Sequence, residues 1–372
     1  MVTVAAEEAR QEHDDPFGIA ARLAIEAAAA GTFGVGGVLA DASGRVLAKA
    51  RNAVIAPGLA WDPTAHVERQ LIDWFFADGS HRAAPGALTI VSSLEPCMMC
   101  AGSILRAGFH CVSLADHPFA GVGVRTGLRT LPPVLRQNAL SQLGSAAVRG
   151  RRPFVGSGAE PFRKPTSADD LERAERALNE SLEAVRRTVG GPISPMNPTR
   201  ASHGLDVVTP RADTTTDPHW IADGPAHDVA ELVAIARGLG GDGPAAGMAD
   251  DAGHLLCVAR GRLDRSPIRT AVMECMRRFS IERAGLERRF ARDLLPPALT
   301  LLVAGEFHDD EEAVISLGAA GSFVESPLSP GRPPFVTLVG TRASYVTHVK
   351  DVLARFPSFY RDFVGLRVDE ER

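Results

Sequence analysis

Residues 93–102 have the sequence SLEPCMMCAG, which directly follows a short apolar strand. Pro96 is expected to open a helix that Gly108 ends. Cys97 and Cys100 then lie three residues apart in the first helical turn, and their side chains project to the same side. The helix dipole and the N–H groups of that turn favour thiolate over thiol, the form that binds metal ions. The sequence therefore predicts a pair of metal ligands at this strand–helix junction.

The elements before this junction predict an α/β fold. The spacing of apolar residues predicts a helix over 19–27, and two short strands around residues 41–44 predict a hairpin. A second helix is expected to be capped by Thr64 or Asp62 and to continue through Phe76. Because strands alternate with helices, we expect a three-layer α/β domain with helices on both faces of one sheet.

The third predicted metal ligand is His66, in the first turn of that second helix. One imidazole and two thiolates form a three-ligand zinc set, and the fourth tetrahedral position is left for water, which is the catalytic arrangement. Zinc would lower the pKa of that water toward ~7 and supply a hydroxide at neutral pH. Glu68 is poorly placed to share the metal and well placed to move the proton of the water.

The pairing of His-x-Glu with Pro-Cys-x-x-Cys is the signature of zinc-dependent deaminases. Residues 17–120 resemble the cytidine deaminase-like superfamily, and the run at 93–102 is similar to the branch of tRNA adenosine, guanine and fungal-type cytosine deaminases. The resemblance implies that His66, Cys97 and Cys100 bind zinc. It also implies that Glu68 passes a proton from the water to a ring nitrogen and then to the leaving amine, so that ammonia departs.

The resemblance implies three substrate contacts as well. Asn52 matches the position that hydrogen-bonds the base, and Ala65 matches a residue whose backbone contacts its polar edge. Phe119 falls where cytosine deaminases place a ring over the base. Asn52 is also compatible with a turn at a strand end, and Phe119 with an anchor of the core or of a loop. One departure is Val67, where the family usually has alanine, and we expect the metal to tolerate it.

An internal repeat occupies the second half of the chain. Residues 40–51 (ADASGRVLAKAR) align with 249–260 (ADDAGHLLCVAR), an offset of 209, and six of the twelve positions are identical. The helix start at His66 and the strand before the cysteines also find counterparts, in the same order and at similar offsets. The alternative is chance similarity in an alanine-rich chain. We therefore predict a tandem duplication of one α/β unit.

The second copy lacks the metal ligands. The residues aligned with His66, Cys97, Cys100 and Asn52 are Val272, His308, Glu311 and Gly261, whereas Glu274 keeps the position of Glu68. Valine in place of the imidazole and the loss of both thiolates predict that this copy holds no catalytic zinc.

Three segments follow from this alignment. We expect a catalytic zinc deaminase domain over residues 1–165, a helix with a proline-rich linker over 166–225, and a degenerate, non-catalytic deaminase-like domain over 226–372. The two domains are expected to form an intramolecular pseudo-dimer in which the second supports the pocket of the first. A homodimer of the chain is also possible.

The amino-acid composition bears on the class of substrate and on the location of the protein. The 372 residues carry a formal net charge of −5, which argues against non-selective binding to nucleic acid but leaves room for a local basic patch. No run of about 18 apolar residues exists to span a bilayer, and the first 16 residues have no signal-peptide pattern. Five cysteines are too few for a disulfide scaffold, so a cytoplasmic location is expected.

The sequence thus predicts a zinc hydrolase that removes an amino group from a free nucleobase, a nucleoside or a related small heterocycle. Two alternatives stay open. The first is a deaminase that edits adenosine or cytidine in tRNA or another nucleic acid. The second is a non-catalytic, zinc-stabilised interaction protein, which would need a fourth protein ligand to close the metal site.

Overall fold

The computed structural model describes most of two α/β units and leaves the segment between them largely undescribed. The described residues are 2–4, 16–55, 62–77, 83–117, 120–145, 172–173, 176, 179–180, 243–250, 255–279, 299–325, 335–339, 341–363 and 365–369.

The first unit is built on a six-stranded mixed sheet. Its strands are β1 (Val2–Val4), β2 (Gly36–Asp41), β3 (Val46–Arg51), β4 (Leu88–Leu94), β5 (His110–Ala115) and β6 (Leu143–Ser145), in the order β1-β3-β2-β4-β5-β6. β2 pairs antiparallel with β3 and β4, whereas β4, β5 and β6 run parallel. The expected hairpin is therefore present, and the parallel strands bring their carboxyl ends to one edge of the sheet.

Helices cover both faces of this sheet, which confirms the predicted three-layer α/β fold. They are α1 (Pro16–Ala29), α2 (Val67–Ala77), α3 (Met98–Ala107) and α4 (Pro133–Gln142). Side chains alternate along the strands. Val38 and Val91 pack with α1 on one face, whereas Leu39 and Ile90 belong to the larger core with α2 and α3 on the other.

Both helices of the predicted metal site begin two residues later than expected. α2 begins at Val67, not at the predicted caps, because the Asp62 carboxylate accepts the Thr64 N–H and hydroxyl and so closes a local turn. α3 begins at Met98, with Cys97 in an extended conformation at the N-cap. As predicted, Gly108 ends α3 in a left-handed conformation (φ 78°).

The second unit is built on a five-stranded sheet. Its strands are β7 (Ala245–Asp250), β8 (Leu255–Arg260), β9 (Leu299–Ala304), β10 (Phe335–Val339) and β11 (Gly365–Asp369), in the order β11-β10-β9-β7-β8. Its helices are α5 (residues 271–279), α6 (Asp310–Glu325), α7 (Ala343–Arg355) and α8 (Ser358–Phe363). β7 is antiparallel to β8 and β9, and the remaining neighbours are parallel.

The two sheets share one topology. Five strands of the first sheet, β3-β2-β4-β5-β6, correspond in order and direction to β8-β7-β9-β10-β11. The hairpin register shifts between Leu39 and Ala40 in one sheet and between Met248 and Ala249 in the other, which are the positions that the sequence alignment pairs.

The two units contact each other through α3 and α6. Met99 lies against Gly318, Gly102 against Ile315, and Arg106 forms an ion pair with Asp309, so the two helices run antiparallel. Side chains of both units belong to one continuous hydrophobic core. The helix that carries the cysteine motif is therefore packed directly against the second unit.

Two other expectations fall mainly outside the described residues. Residues 172–173, 176 and 179–180 are helical and lie in the segment 166–225, where a helix and a linker are predicted. The linker and the domain boundaries fall outside the described residues. Within the described part of the chain, no helix has the length and apolar character needed to cross a membrane.

Candidate active site

The three predicted metal ligands converge at the amino-terminal ends of α2 and α3. His66 Nδ1 lies 3.5 Å from Cys97 Sγ and 3.6 Å from Cys100 Sγ. All three ligand atoms lie within 4.8 Å of one another, and both cysteines are buried. Among the described residues this is the one cluster of three or more His, Cys, Asp or Glu side chains that could hold a metal ion.

This geometry fits zinc. Zn–N and Zn–S bonds of about 2.0 and 2.3 Å at a tetrahedral angle place N and S roughly 3.6 Å apart. The two measured N–S distances have this value without any movement of the backbone. The cluster supplies three soft or borderline ligands, and the described residues offer no fourth candidate. This set matches an open, catalytic zinc site rather than a closed, structural one.

The protein environment prepares one thiol for deprotonation. A hydrogen bond from Cys100 and the nearby His66 hold the pKa of the Cys97 thiol well below its usual value. Burial, together with the neighbouring Cys97, raises the pKa of Cys100 well above the usual value. A divalent cation bound by both sulfurs would favour the thiolate form of each cysteine.

Glu68 lies in the first turn of α2, next to the ligand cluster. Its side chain is buried, and Ser92 on β4 donates a hydrogen bond of 2.8 Å to Oε1. Burial and the charge of Cys97 raise the pKa of the Glu68 carboxyl. Ser92 therefore fixes one carboxylate oxygen, a contact that no sequence pattern indicates because the two residues lie on different elements.

Val67, the departure from the family pattern, is accommodated by a glycine. Its side chain is fully buried, and a Cβ on Gly37 of β2 would lie 2.6 Å from Val67 Cγ1. Gly37 therefore leaves the space that the larger side chain fills, and the ligand distances of the neighbouring His66 agree with this.

Asn52 is held at the end of β3 with its amide in one orientation. The Val54 N–H and the Thr32 hydroxyl both donate to Oδ1, at 3.0 and 2.7 Å. The hydroxyl of Thr32 in turn accepts the Ile55 N–H at 3.2 Å, so its own proton is directed to Asn52. Nδ2 has no acceptor among the described residues. The Asn52 side chain can therefore offer only N–H donors to a ligand.

Ala65 lies between Asn52 and His66, and its backbone groups are already engaged. Its N–H donates to Asp62 O, and its carbonyl accepts both the Ala53 N–H at 3.1 Å and the Gln70 side-chain amide at 2.9 Å. A base that contacted this carbonyl would have to share it with two donors.

Glu95 organises the loop after β5, although the sequence analysis assigned it no role. Its buried carboxylate accepts the N–H groups of His117 and Val124, and a Cβ on Gly121 would overlap Glu95 Oε2. The loop is also joined to the cysteine motif, because Cys97 and Gly121 form a β-bridge. Glu95 thus positions His117, Gly121 and Val124 of this loop against the metal site.

His117 occupies this loop near the ligand cluster. Its Nδ1 accepts the Ala120 N–H at 3.1 Å, and burial lowers its pKa to about 4. The imidazole is therefore neutral near pH 7, with its proton on Nε2. Phe119, the expected ring over the base, lies outside the described residues.

The corresponding positions of the second unit have different contacts. Glu274 forms a bidentate ion pair with Arg269, at 2.6 and 2.7 Å, and is not directed to a metal cluster. Val272 is buried in the core. The carboxylate that the sequence alignment pairs with Glu68 thus forms an ion pair with an arginine.

Comparison with known proteins assigns the first unit. Residues 10–115 match the family model described as the cytidine and deoxycytidylate deaminase zinc-binding region. This part of the chain is therefore similar to the cytidine deaminase-like superfamily. The match contains all three proposed ligands and Glu68, and residues 116–372 lie outside it.

One solved structure that matches comes from "Biochemical and Structural Studies of A-to-I Editing by tRNA:A34 Deaminases at the Wobble Position of Transfer RNA". It shares 27% sequence identity, covers 30% of this chain and 82% of its own chain, and has a TM-score of 0.25. No curated protein matches the sequence.

Proposed function

We propose that the protein is a zinc-dependent hydrolytic deaminase that releases ammonia from an amino-substituted heterocycle. The observation that carries the proposal is the cluster of His66 Nδ1 and the two cysteine Sγ atoms at zinc-binding distances, with Glu68 beside it. Bound zinc supplies a Lewis acid that activates water for attack on an amidine carbon. The third expectation, a non-catalytic zinc protein, lacks a fourth ligand in the described part of the chain.

Glu68 moves the protons of the reaction. Ser92 holds Oε1 of this carboxylate, which on this proposal serves the water and the substrate ring. The carboxylate accepts a proton from the water, donates it to a ring nitrogen and repeats the transfer to the departing amine. The hydroxyl that adds to the carbon and the protons that Glu68 transfers come from one water molecule. The products are a carbonyl compound and ammonia.

Asn52 selects the edge of the substrate. Because its carbonyl oxygen is saturated by Val54 and Thr32, it recognises a hydrogen-bond acceptor, such as a ring nitrogen or an exocyclic oxygen. Ala65 and Phe119 stay predicted contacts, at the polar edge and the face of the base.

A small substrate, a free nucleobase or a nucleoside, is the class that we favour. The net charge of −5 does not attract a polyanion such as tRNA. All five cysteines are free, and Cys257 Sγ and Cys275 Sγ stay 3.6 Å apart without a disulfide. This agrees with a reducing cytoplasm, where the two zinc-binding thiols stay available.

The second unit is, on this proposal, a degenerate tandem copy and the intramolecular partner of the first. The shared strand order, the matching register shift and the α3–α6 contact support it. The ion pair of Glu274 with Arg269 supports a non-catalytic role.

The test is ammonia release by the full chain from a panel of bases, nucleosides, nucleotides and tRNA. We expect turnover of at least one base or nucleoside that presents an acceptor edge. Turnover of tRNA alone would replace the small-substrate proposal with nucleic-acid editing. Stable zinc binding without turnover of any member would contradict the deaminase proposal.

A further inference from the structure

The cysteine-bearing end of α3 is supported by a residue of the second unit. Tyr360, on α8, is fully buried and reaches across the contact between the units. Its hydroxyl accepts the backbone N–H of Met98 at 3.3 Å. Met98 directly follows the ligand Cys97, so this bond joins the second unit to the metal site.

The position of Tyr360 is fixed by its surroundings. Its ring lies against the backbone of α6 at Gly321, where a Cβ would overlap the ring. Phe356 packs edge-on against it, with ring centroids 5.5 Å apart. These two contacts fix the position of the Tyr360 hydroxyl where the second unit packs against α3.

The bond acts on the peptide that connects Cys97 to the helix. Cys97 lies at the N-cap with extended backbone, so α3 restrains it through its carbonyl and leaves its N–H outside the helical hydrogen bonds. Its carbonyl accepts the Ala101 N–H at 2.8 Å, and Tyr360 holds the N–H of the same peptide group. Both polar ends of the Cys97–Met98 peptide are therefore restrained, one by α3 and one by the second unit.

We propose that Tyr360 is a positioning residue of the zinc site: through the Met98 N–H it holds Cys97 Sγ at the distance from His66 that zinc requires. The inference rests on the proposed function only in that these residues bind zinc. It assigns the second unit a defined task, which is to keep the ligand set preorganised. Groups that orient metal ligands from outside typically change metal affinity by about 10- to 100-fold when they are removed.

The test compares Tyr360→Phe with Tyr345→Phe in the full chain. Tyr345, on α7 of the same unit, also accepts a backbone N–H through its hydroxyl, that of Phe307 at 2.6 Å, but at a site away from α3. The two are the chain's two tyrosines. Each variant therefore loses one hydroxyl acceptor from the same unit, and only one of these hydroxyls contacts the cysteine helix.

Two measurements without substrate give the answer. The first is the rate at which a chelator removes zinc, which we expect to rise about tenfold in Tyr360→Phe and to stay at the wild-type value in Tyr345→Phe. The second is the absorption spectrum of the cobalt-substituted protein, whose thiolate and d–d bands should shift in Tyr360→Phe alone. Urea unfolding of both variants shows whether zinc loss simply follows lower stability.

Equal zinc-release rates and unchanged cobalt spectra in both variants would overturn the proposal. The same holds if zinc release in each variant rises only in proportion to its loss of unfolding free energy. Should Tyr360→Phe fail to fold, Phe356→Leu keeps the hydroxyl and loosens its support, and is judged by the same two measurements. Neither measurement uses a substrate, so the role of Tyr360 is tested independently of the deaminase activity. The role of Tyr360 can be disproved in an active deaminase, and it can hold in a protein that releases no ammonia.

Discussion

Glu68 is the residue on which the proposed proton transfers depend. Glu68→Gln keeps the size of the side chain and cannot shuttle protons, so we expect ammonia release to fall by ~10²-fold or more while zinc is retained. The matched control is Glu274→Gln, at the corresponding position of the second unit, which should leave turnover unchanged. Near-normal turnover in the first variant, or a comparable loss in the second, would contradict the assignment.

Thr32 controls the orientation of the Asn52 amide. Thr32→Val removes the hydroxyl that donates to Oδ1. The loss of one buried hydrogen bond of about 1 kcal/mol predicts a drop in kcat/KM of roughly five- to tenfold. Because Thr32 does not touch the metal ligands, the effect should be on KM, with zinc content unchanged. Steady-state kinetics check this.

The control for Thr32 is Thr347→Val, which removes an exposed hydroxyl from α7. A fall in kcat with constant KM in Thr32→Val would show that Thr32 acts on the reaction step and not on substrate binding.

At the residue scale, the sequence predicts features that depend on local spacing, but not contacts between residues that are distant in sequence. The spacing of His66, Glu68 and the cysteines follows from the elements that carry them, so the ligand set was predictable. Ser92, Glu95 and Thr32 act through partners 20 or more residues away in sequence. No periodicity or motif indicates such pairs, because only the folded sheet brings them together.

At the scale of elements, the contact between α3 and α6 requires a glycine at residue 318. A Cβ there would overlap the backbone nitrogen of Met99, which cannot rotate away. In an ordinary helix Gly→Ala stabilises by up to about 1 kcal/mol. Gly318→Ala should instead lower the unfolding free energy by about 1–3 kcal/mol, the usual cost of overpacking.

Urea unfolding measures this change, and Gly86→Ala is its control. The Cβ added at Gly86 meets its nearest atom at 3.6 Å, an ordinary contact. A stabilised Gly318→Ala variant would show that the two helices are not packed as closely as described.

The first residues of α2 and α3 are the features of these elements that the sequence predicted least accurately. Proline and glycine signals predicted that Pro96 opens α3 and that Gly108 ends it, whereas α3 begins at Met98. They did not show that the Asp62 side chain closes a turn of its own, or that the extended backbone of Cys97 leaves this residue outside α3. This displacement matters chemically, since Cys97 then pairs with Gly121 in a β-bridge and the N–H of the next residue, Met98, donates to Tyr360.

At the scale of the whole molecule, the two α/β units form a single hydrophobic core. The alignment of residues 40–51 with 249–260 predicted where the second hairpin lies, and β7 and β8 occupy those positions. It did not reveal which surfaces meet, because the glycines and Tyr360 that form the contact lie outside the aligned segments.

The central claim is that zinc at His66, Cys97 and Cys100 supports deamination. The most direct test measures zinc content and ammonia release for the same full-length preparation as isolated, after removal of zinc with a chelator, and after zinc is added back. We predict about one zinc per chain, loss of ammonia release on stripping and its recovery on reloading. Ammonia release that persists in zinc-free protein, or zinc that survives in His66→Ala at the wild-type amount, would contradict it.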